Sequence, residues 1–190
     1  MSGVKHPLTI ELALLGLIRQ QPMHPYELYQ RLCTDPALGD IWRIKQAHLY
    51  ALLRRLEEEG FLVAFIETSG NRPPRRVLSL TKHGHEIFLK WMRTPVIHGR
   101  DMRLEFLAKL YFACQEGADA VRLLLSLQRH TCQQLLDKLD QKVITIPRDQ
   151  PYRRLVSQFR RGQIQAMLAW LETCGAALIA GASVSSQERR

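Results

Sequence analysis

The N-terminus of the 190-residue sequence lacks an apolar run long enough for export or for spanning a membrane. That absence predicts a cytoplasmic chain, with no membrane partner and with reduced thiols. Cysteine is sparse. Cys33, Cys114, Cys132 and Cys174 form no CxxC pair and have no histidine cluster beside them, so no metal site is expected. The last three fall inside helical patterns, where a free thiol behaves as a small hydrophobe. A thiol-based redox switch is the lesser reading of them. The sequence also lacks G-x-S-x-G, P-loop, G-x-G-x-x-G and H-E-x-x-H patterns. His6, His24, His83, His85, His98 and His130 stand in no evident constellation with cysteine or carboxylate. Neither an enzyme nor a cofactor is expected, and no repeat at a solenoid period appears. Acid is short relative to base: 27 Lys+Arg against 18 Asp+Glu leave a formal net charge of +9, with a pI near 9.8. That excess favours an anionic partner. It is spread along the chain, with net +4 over residues 1–95 and +5 over 96–190, so local runs of base carry more weight than the total.

What is present is an ordinary globular balance, 46% hydrophobic and 24% charged, able to bury a core. The most informative stretch is 45–80. In Gln46–Glu59, Leu49, Leu52, Leu53 and Leu56 recur at i, i+3, i+4 and i+7, one apolar stripe on a helical period. Ala47, Ala51, Arg54 and Glu58 project opposite it, with His48 and Tyr50 on the flanks. Gly60 ends the helix, where a positive φ costs least. Phe61–Glu67 and Arg75–Leu80 are strand candidates, the second with Leu78 and Leu80 on one face and Val77 and Ser79 on the other. Thr68–Pro74 between them is a turn. Arg72, Arg75 and Arg76 crowd that turn, and no acid lies among them in sequence. A helix with small residues and an arginine on its open face suits a major groove about 12 Å wide. A cationic hairpin beside it suits a phosphate backbone. Together they predict a winged helix-turn-helix. The competing reading is a solvated helix and an edge hairpin whose arginines only keep it soluble.

Before that stretch, Thr9 can cap a helix over Ile10–Gln20, with Leu12, Leu15, Gly16 and Ile18 inward. Pro25 opens a second, with Tyr26, Leu28, Tyr29 and Leu32 as core candidates. Asp35–Gly39 reads as a turn, and Ile41, Trp42 and Ile44 as a plug ahead of the Leu-striped helix. After it, Thr81 caps Lys82–Met92, which packs Ile87, Phe88 and Trp91. Pro95 and Gly99 in Thr94–Gly99 mark a boundary, giving a winged helix domain over 1–94 and an all-α domain over 95–190. In the second domain, helices are expected over Asp101–Gln115, Ala118–Val143 and Tyr152 to about Ala180. Their apolar positions include Leu104, Leu107, Tyr111 and Phe112 in the first. Leu125, Cys132 and Leu139 lie seven apart in the second, and Leu155, Phe159, Ala166, Trp170, Cys174 and Leu178 mark the third. Stripes this long predict a partner, most economically a second copy of the chain. A two-fold dimer would also read two half-sites about 34–36 Å apart. An intramolecular three-helix bundle is the alternative.

Several residues carry a family pattern. Pro25-Tyr26-Glu27-Leu28 opens the second helix. Leu49-Tyr50, Leu53, Arg55-Leu56-Glu57 and Gly60 follow, then Arg72-Pro73, Leu80-Thr81, Gly84 and Trp91. Gly162 and Trp170-Leu171-Glu172 lie in the last helix. In this order the chain resembles the PadR family of bacterial transcriptional regulators, in its two-domain form. The resemblance implies a mostly α protein with a two-stranded wing and mutually exchanged C-terminal helices. It further implies a homodimer on double-stranded operator DNA and repression relieved by a small molecule. Pro25 stands where the family often has Gly, and Lys45 where it has a small hydroxyl residue. Lys45 cannot cap as serine would, and contact with a phosphate is its alternative use.

The resemblance favours a phosphate contact for the Tyr50 hydroxyl, beside packing of its ring on the wing. Arg54 has two readings: a bidentate pair to guanine, or a helical ion pair with Glu57 or Glu58. Gln46 and His48 face either the groove or solvent. Arg72, Arg75 and Arg76 are the foremost phosphate candidates, and Glu57–Glu59 is expected to point away from the duplex. Trp91 and Trp170 suit the core first. In PadR-like dimers they are also candidates to hold an aromatic or hydrophobic effector. The rival function is a winged-helix protein–protein interaction module that does not read DNA.

Overall fold

In the computed structural model, residues 9–39, 41–68 and 74–185 are described, with side chains as far as residue 178. The chain divides into two compact units, Met1–Trp91 and Met92–Arg190.

The first unit contains α1 (Thr9–Gln20), α2 (Pro25–Thr34), α3 (Pro36–Gly39), α4 (Gln46–Glu58), β1 (Leu62–Glu67) and β2 (Arg75–Leu80). Most of α5 (Lys82–Arg93) also belongs to it. Helix α1 is its hub. Every residue from Glu11 to Ile18 is buried, so the expected single inward stripe is replaced by a helix covered all round. Glu11 is tolerated there because Arg55 of α4 ion-pairs with it. Helix α2 starts on a reciprocal capping box: His24 Nδ1 accepts from the Tyr26 N–H, and the His24 N–H donates to Glu27 Oε2 at 3.0 Å. Leu28 and Leu32 are buried as expected, but Tyr26 is 47% exposed and leaves the core list. The stretch 35–39 is a short helix, because Asp35 Oδ1 accepts the Ala37 N–H at 2.9 Å and nucleates a turn of α3.

Helix α4 buries Leu49, Leu52, Leu53 and Leu56, the four positions its period predicts. It ends in a Schellman arrangement: the Phe61 N–H donates to Leu56 O at 2.9 Å and the Gly60 N–H to Glu57 O at 3.0 Å. Gly60 takes φ +75°, the left-handed region a side chain would resist. Strands β1 and β2 pair antiparallel in the register Leu62↔Leu80 to Glu67↔Arg75. Leu78 exchanges both backbone bonds with Met23, which extends the ladder by one bridge. The simple alternation expected for β2 fails, since Val77 and Leu78 are both buried. The hairpin is therefore covered on both faces at that point. Thr81 caps α5: its Oγ1 accepts the Gly84 N–H at 3.0 Å and donates to Gly60 O at 2.7 Å. Phe88 and Trp91 then pack together, 5.9 Å between ring centroids.

The second unit is helical. It contains a 3-10 turn (Gly99–Arg103), α6 (Glu105–Glu116), α7 (Ala118–Ile144) and α8 (Pro151–Ser185). The helix expected over Asp101–Gln115 is broken at Leu104, whose backbone leaves the helical region and whose side chain is 49% exposed. Its core residues are Met102, Phe106 and Leu110. Gly117, at φ +107°, turns the chain between α6 and α7. Helices α7 and α8 lie antiparallel, with Arg129 on Glu172 at 3.2 Å and Arg161 on Asp140 at 3.0 Å. At 27 and 35 residues they are about 40 and 52 Å long at a 1.5 Å rise. Their shared core holds Leu124, Leu125, Cys132, Leu171 and Cys174. Cys114, by contrast, is exposed. Burial raises the thiols of Cys132 and Cys174 above their ordinary range, and partial desolvation by neighbouring atoms raises that of the exposed Cys114, which disfavours the reactive thiolate.

Candidate nucleic-acid interface

The leucine stripe that pins α4 against α1 turns its other face outward. Gln46, Ala47, His48, Tyr50, Ala51 and Arg54 are all exposed, Tyr50 by 38%. Lys45 precedes the helix in extended backbone (φ −78°, ψ 143°) and makes no side-chain cap bond, so its ammonium stays outside. Among the described residues, the side chains of Lys45, Gln46, His48, Tyr50 and Arg54 have no hydrogen-bond or ion-pair partner. The alternative pairing for Arg54 is not formed. Glu57 goes to Arg76 instead, and Glu59 to Arg55 at 3.5 Å. Arg43, two residues before Lys45, is a further exposed cation without a partner among the described residues. No periodicity marks such a loop residue in the sequence; its signal is a base just ahead of a helix N-terminus.

The hairpin arginines are in the opposite condition. Arg75 Nε donates to Glu67 at 2.7 Å and Nη1 to Glu27 of α2 at 2.7 Å. The hydrogen bond that Glu67 accepts, its charge and that of Glu27 raise the guanidinium further. Arg76 Nη2 reaches both oxygens of Glu57, at 2.5 and 2.6 Å. The turn has no acid in sequence, but the fold brings three to it. Arg75 thus ties the hairpin to α2 and Arg76 ties it to the C-terminal end of α4. Arg72 lies outside the described residues. Val63, Phe65 and Ile66 on β1 are 49%, 44% and 64% exposed, an apolar patch beside these pairs.

The two tryptophans considered for an effector sit in different units. Trp91 is buried against Phe88. Trp170 is 38% exposed and meets Phe106 edge-on, 6.0 Å between centroids.

Residues 14–90 match the transcriptional regulator PadR-like family. Residues 102–178 match the domain described as virulence activator alpha C-term. A negative transcriptional regulator PadR of Bacillus subtilis (strain 168) is 26% identical over 114 residues, 58% of this chain. The chain spans 62% of the length of that relative. Among solved structures, Bacillus subtilis PadR in complex with operator DNA is 21% identical with a TM-score of 0.41, covering 90% of this chain and 99% of that one. The PadR-like regulator BC1756 of Bacillus cereus is 18% identical with a TM-score of 0.41, covering 93% and 99%.

Proposed function

We propose that this chain, whose residues 14–90 match the transcriptional regulator PadR-like family, is a regulator of that kind and binds double-stranded DNA as a two-fold homodimer. It represses from a palindromic operator in the cytoplasm and is released by a small apolar or aromatic effector. The observation that carries the reading is the outward face of α4. Two alanines sit at its centre, an arginine lies further along, and two free cations stand at its N-terminal approach. A helix with side chains is 10–12 Å across and the major groove about 12 Å wide, so small central residues favour close seating. Arg54 is placed to read a guanine edge. Lys45, Tyr50 and Arg43 meet phosphates, and Gln46 and His48 flank the bases. Arg72, Arg75 and Arg76 form the outer phosphate contacts, the last two by leaving their carboxylates.

The dimer reading rests on α8. One face packs on α7, while Tyr152, Leu155 and Phe159 are 77%, 63% and 67% exposed. Ala166 and Trp170 continue that line at helical spacing. An exposed apolar stripe running most of a helix this long fits a second copy.

The exposed apolar patch on β1 favours a second reading, a winged helix that docks a protein. A mobility-shift assay with DNA from just upstream of the chain's coding region, run across a salt series, separates the two. The DNA reading expects a shift whose affinity falls steeply with salt as counterions are released. No shift on any such duplex, together with a monomer by size determination, would overturn it.

A further inference from the structure

Strand β1 forms one edge of the hairpin, and the hydrogen-bond pattern fixes which of its backbone groups face away from β2. The Thr81 N–H donates to Phe61 O at 3.1 Å, and that pair stands one step beyond Leu62↔Leu80 in the antiparallel register. Bonded and non-bonded pairs alternate along such a ladder. Val63, Phe65 and Glu67 therefore turn their N–H and C=O groups to β2, while Leu62, Ala64 and Ile66 turn theirs outward. Leu78, which the same alternation points away from β1, gives both of its groups to Met23 at 3.0 and 3.2 Å. That confirms the phase and closes the hairpin's other edge at this point. Ala64 and Ile66 have no such backbone partner on their outer side among the described residues.

The outer edge of β1 lacks the usual protection. Natural edges are blunted by lysine, proline or a bulge. Leu62–Ile66 carries no charge and no proline, and its register with β2 runs without a bulge. Leu62 is 3% exposed, so its backbone is out of reach, whereas Phe65 and Ile66 stand well exposed. What remains open is a short frame, Ala64 and Ile66 on either side of Phe65. This frame is self-complementary. A two-fold axis through Phe65 sets Ala64 against Ile66 of a second copy, and Ile66 against Ala64 of that copy. Each of these two pairs exchanges two backbone bonds, about four in all. Phe65 then meets Phe65 of the second copy at a non-bonded position, where side chains approach most closely. Val63 falls opposite Glu67, whose carboxylate is already neutralised by Arg75 at 2.7 Å, so no like charges meet.

We infer that the outer edge of β1 pairs antiparallel with β1 of a second copy, two-fold about Phe65, joining two hairpins into one four-stranded sheet. Val63, Phe65 and Ile66 then have an occupant without a foreign protein. An open edge fits an extended strand, and the symmetric frame makes this chain's own strand match in both hydrogen bonds and side chains. The contact involves a few residues a side, against about 20–30 in a standard interface. It is therefore weak alone and acts between copies already held close. Added to the α8 pairing of the proposed function, it joins one dimer to the next. That consequence rests on the α8 reading; the strand pairing itself does not.

The test traps the pairing as a disulfide in the full chain, with the exposed Cys33 and Cys114 changed to serine and diamide as the oxidant. Phe65→Cys places two thiols opposite each other at a Cα separation of about 4.5 Å, within the range a disulfide spans. Val63→Cys lies on the same face of the strand and is as exposed, but the two-fold holds its two copies four residues apart, about 14 Å. Phe65→Cys should give covalent dimer roughly tenfold faster than Val63→Cys, the advantage of a held geometry over random encounter. Adding Ile66→Pro removes an N–H that faces outward, and with it half of the pairing bonds, while leaving the ladder to β2 intact. The crosslinking rate should then fall to that of Val63→Cys. If Ile66→Pro melts early, Ile66→Lys at the same exposed position decides, because a lysine on an edge strand blocks addition. Equal rates for the two cysteine variants overturn the register and with it the proposal. So does a Phe65→Cys rate that neither change at Ile66 lowers. No DNA is involved, so a failure here is distinct from a failure to shift a duplex.

Discussion

Arg54 on α4 and Arg75 and Arg76 on β2 belong to the same small unit and are all well exposed, yet they stand in opposite electrostatic states. Arg54 has no acidic partner among the described residues. Arg75 is clamped by Glu67 and Glu27, and Arg76 by Glu57. The helix face carries uncompensated charge, whereas the hairpin arginines would have to give up their acids to meet another anion. Exposure alone, then, does not rank arginines as phosphate contacts. What ranks them is whether the fold has already supplied an anion, and what displacing it costs.

The sharpest contrast lies between neighbours on one helix. Arg55 turns inward to Glu11, which is fully buried, while Arg55 itself is 33% exposed. Arg55→Ala leaves a carboxylate buried without that cation. It should lower unfolding free energy by about 3 kcal/mol, the lower end of the range for broken buried pairs because water reaches Arg55. Urea denaturation followed by circular dichroism measures this. The double variant Glu11→Leu with Arg55→Leu should recover much of the loss. Equal losses in single and double variants would mean that the pair is not what α1 depends on.

Arg54→Ala should leave the same denaturation curve within about 0.5 kcal/mol, as an exposed site with no partner. Under the proposed function its effect falls on duplex binding. If Arg54 pairs with a guanine, the cognate duplex should lose about 1–3 kcal/mol of affinity, with relaxed preference at one base pair. A binding series over single-base variants of the operator reads this out. A uniform loss across all variants would reassign Arg54 from base reader to phosphate contact.

These two arginines also show what sequence could and could not deliver. The four leucines of α4 were legible because burial on one side of a helix imposes a period. That period alone placed Ala47, Ala51 and Arg54 outside. Gly60 and Thr81 were legible because caps are local chemistry. Arg75 and Arg76 were legible as a basic cluster but not as neutralised, since their acids come from 8, 19 and 48 residues away. Long-range pairing leaves no local trace. Tyr26 stays outside the core because Pro25, Leu28 and Leu32 fill the inner side of α2. The burial of Lys109 and Gln128 is not legible in the sequence, because polar residues in helical patterns are ordinarily exposed. Only the fold shows that Thr94 and Val96 take their hydrogen bonds.

The smallest expected effect tests the hairpin. An exposed ion pair is worth about 0–1 kcal/mol, and a phosphate offers Arg76 a comparable or better partner by releasing counterions. Glu57→Gln should therefore cost little stability while freeing Arg76 before DNA arrives. Duplex affinity should rise a few-fold, the price of separating the pair having been removed. The salt dependence then tells how Arg76 is used. If Arg76 leaves Glu57 in the wild-type complex, both proteins make the same phosphate contacts and share one slope of log affinity against log salt. If wild-type Arg76 stays on Glu57, the variant gains a contact and its slope steepens by about 0.9. If Arg76 never meets DNA, neither affinity nor slope moves beyond what removing one nearby negative charge produces, and Arg76→Ala binds as wild type does. In that last case the hairpin arginine is a fastener between β2 and α4, and duplex recognition falls to the face of α4 alone.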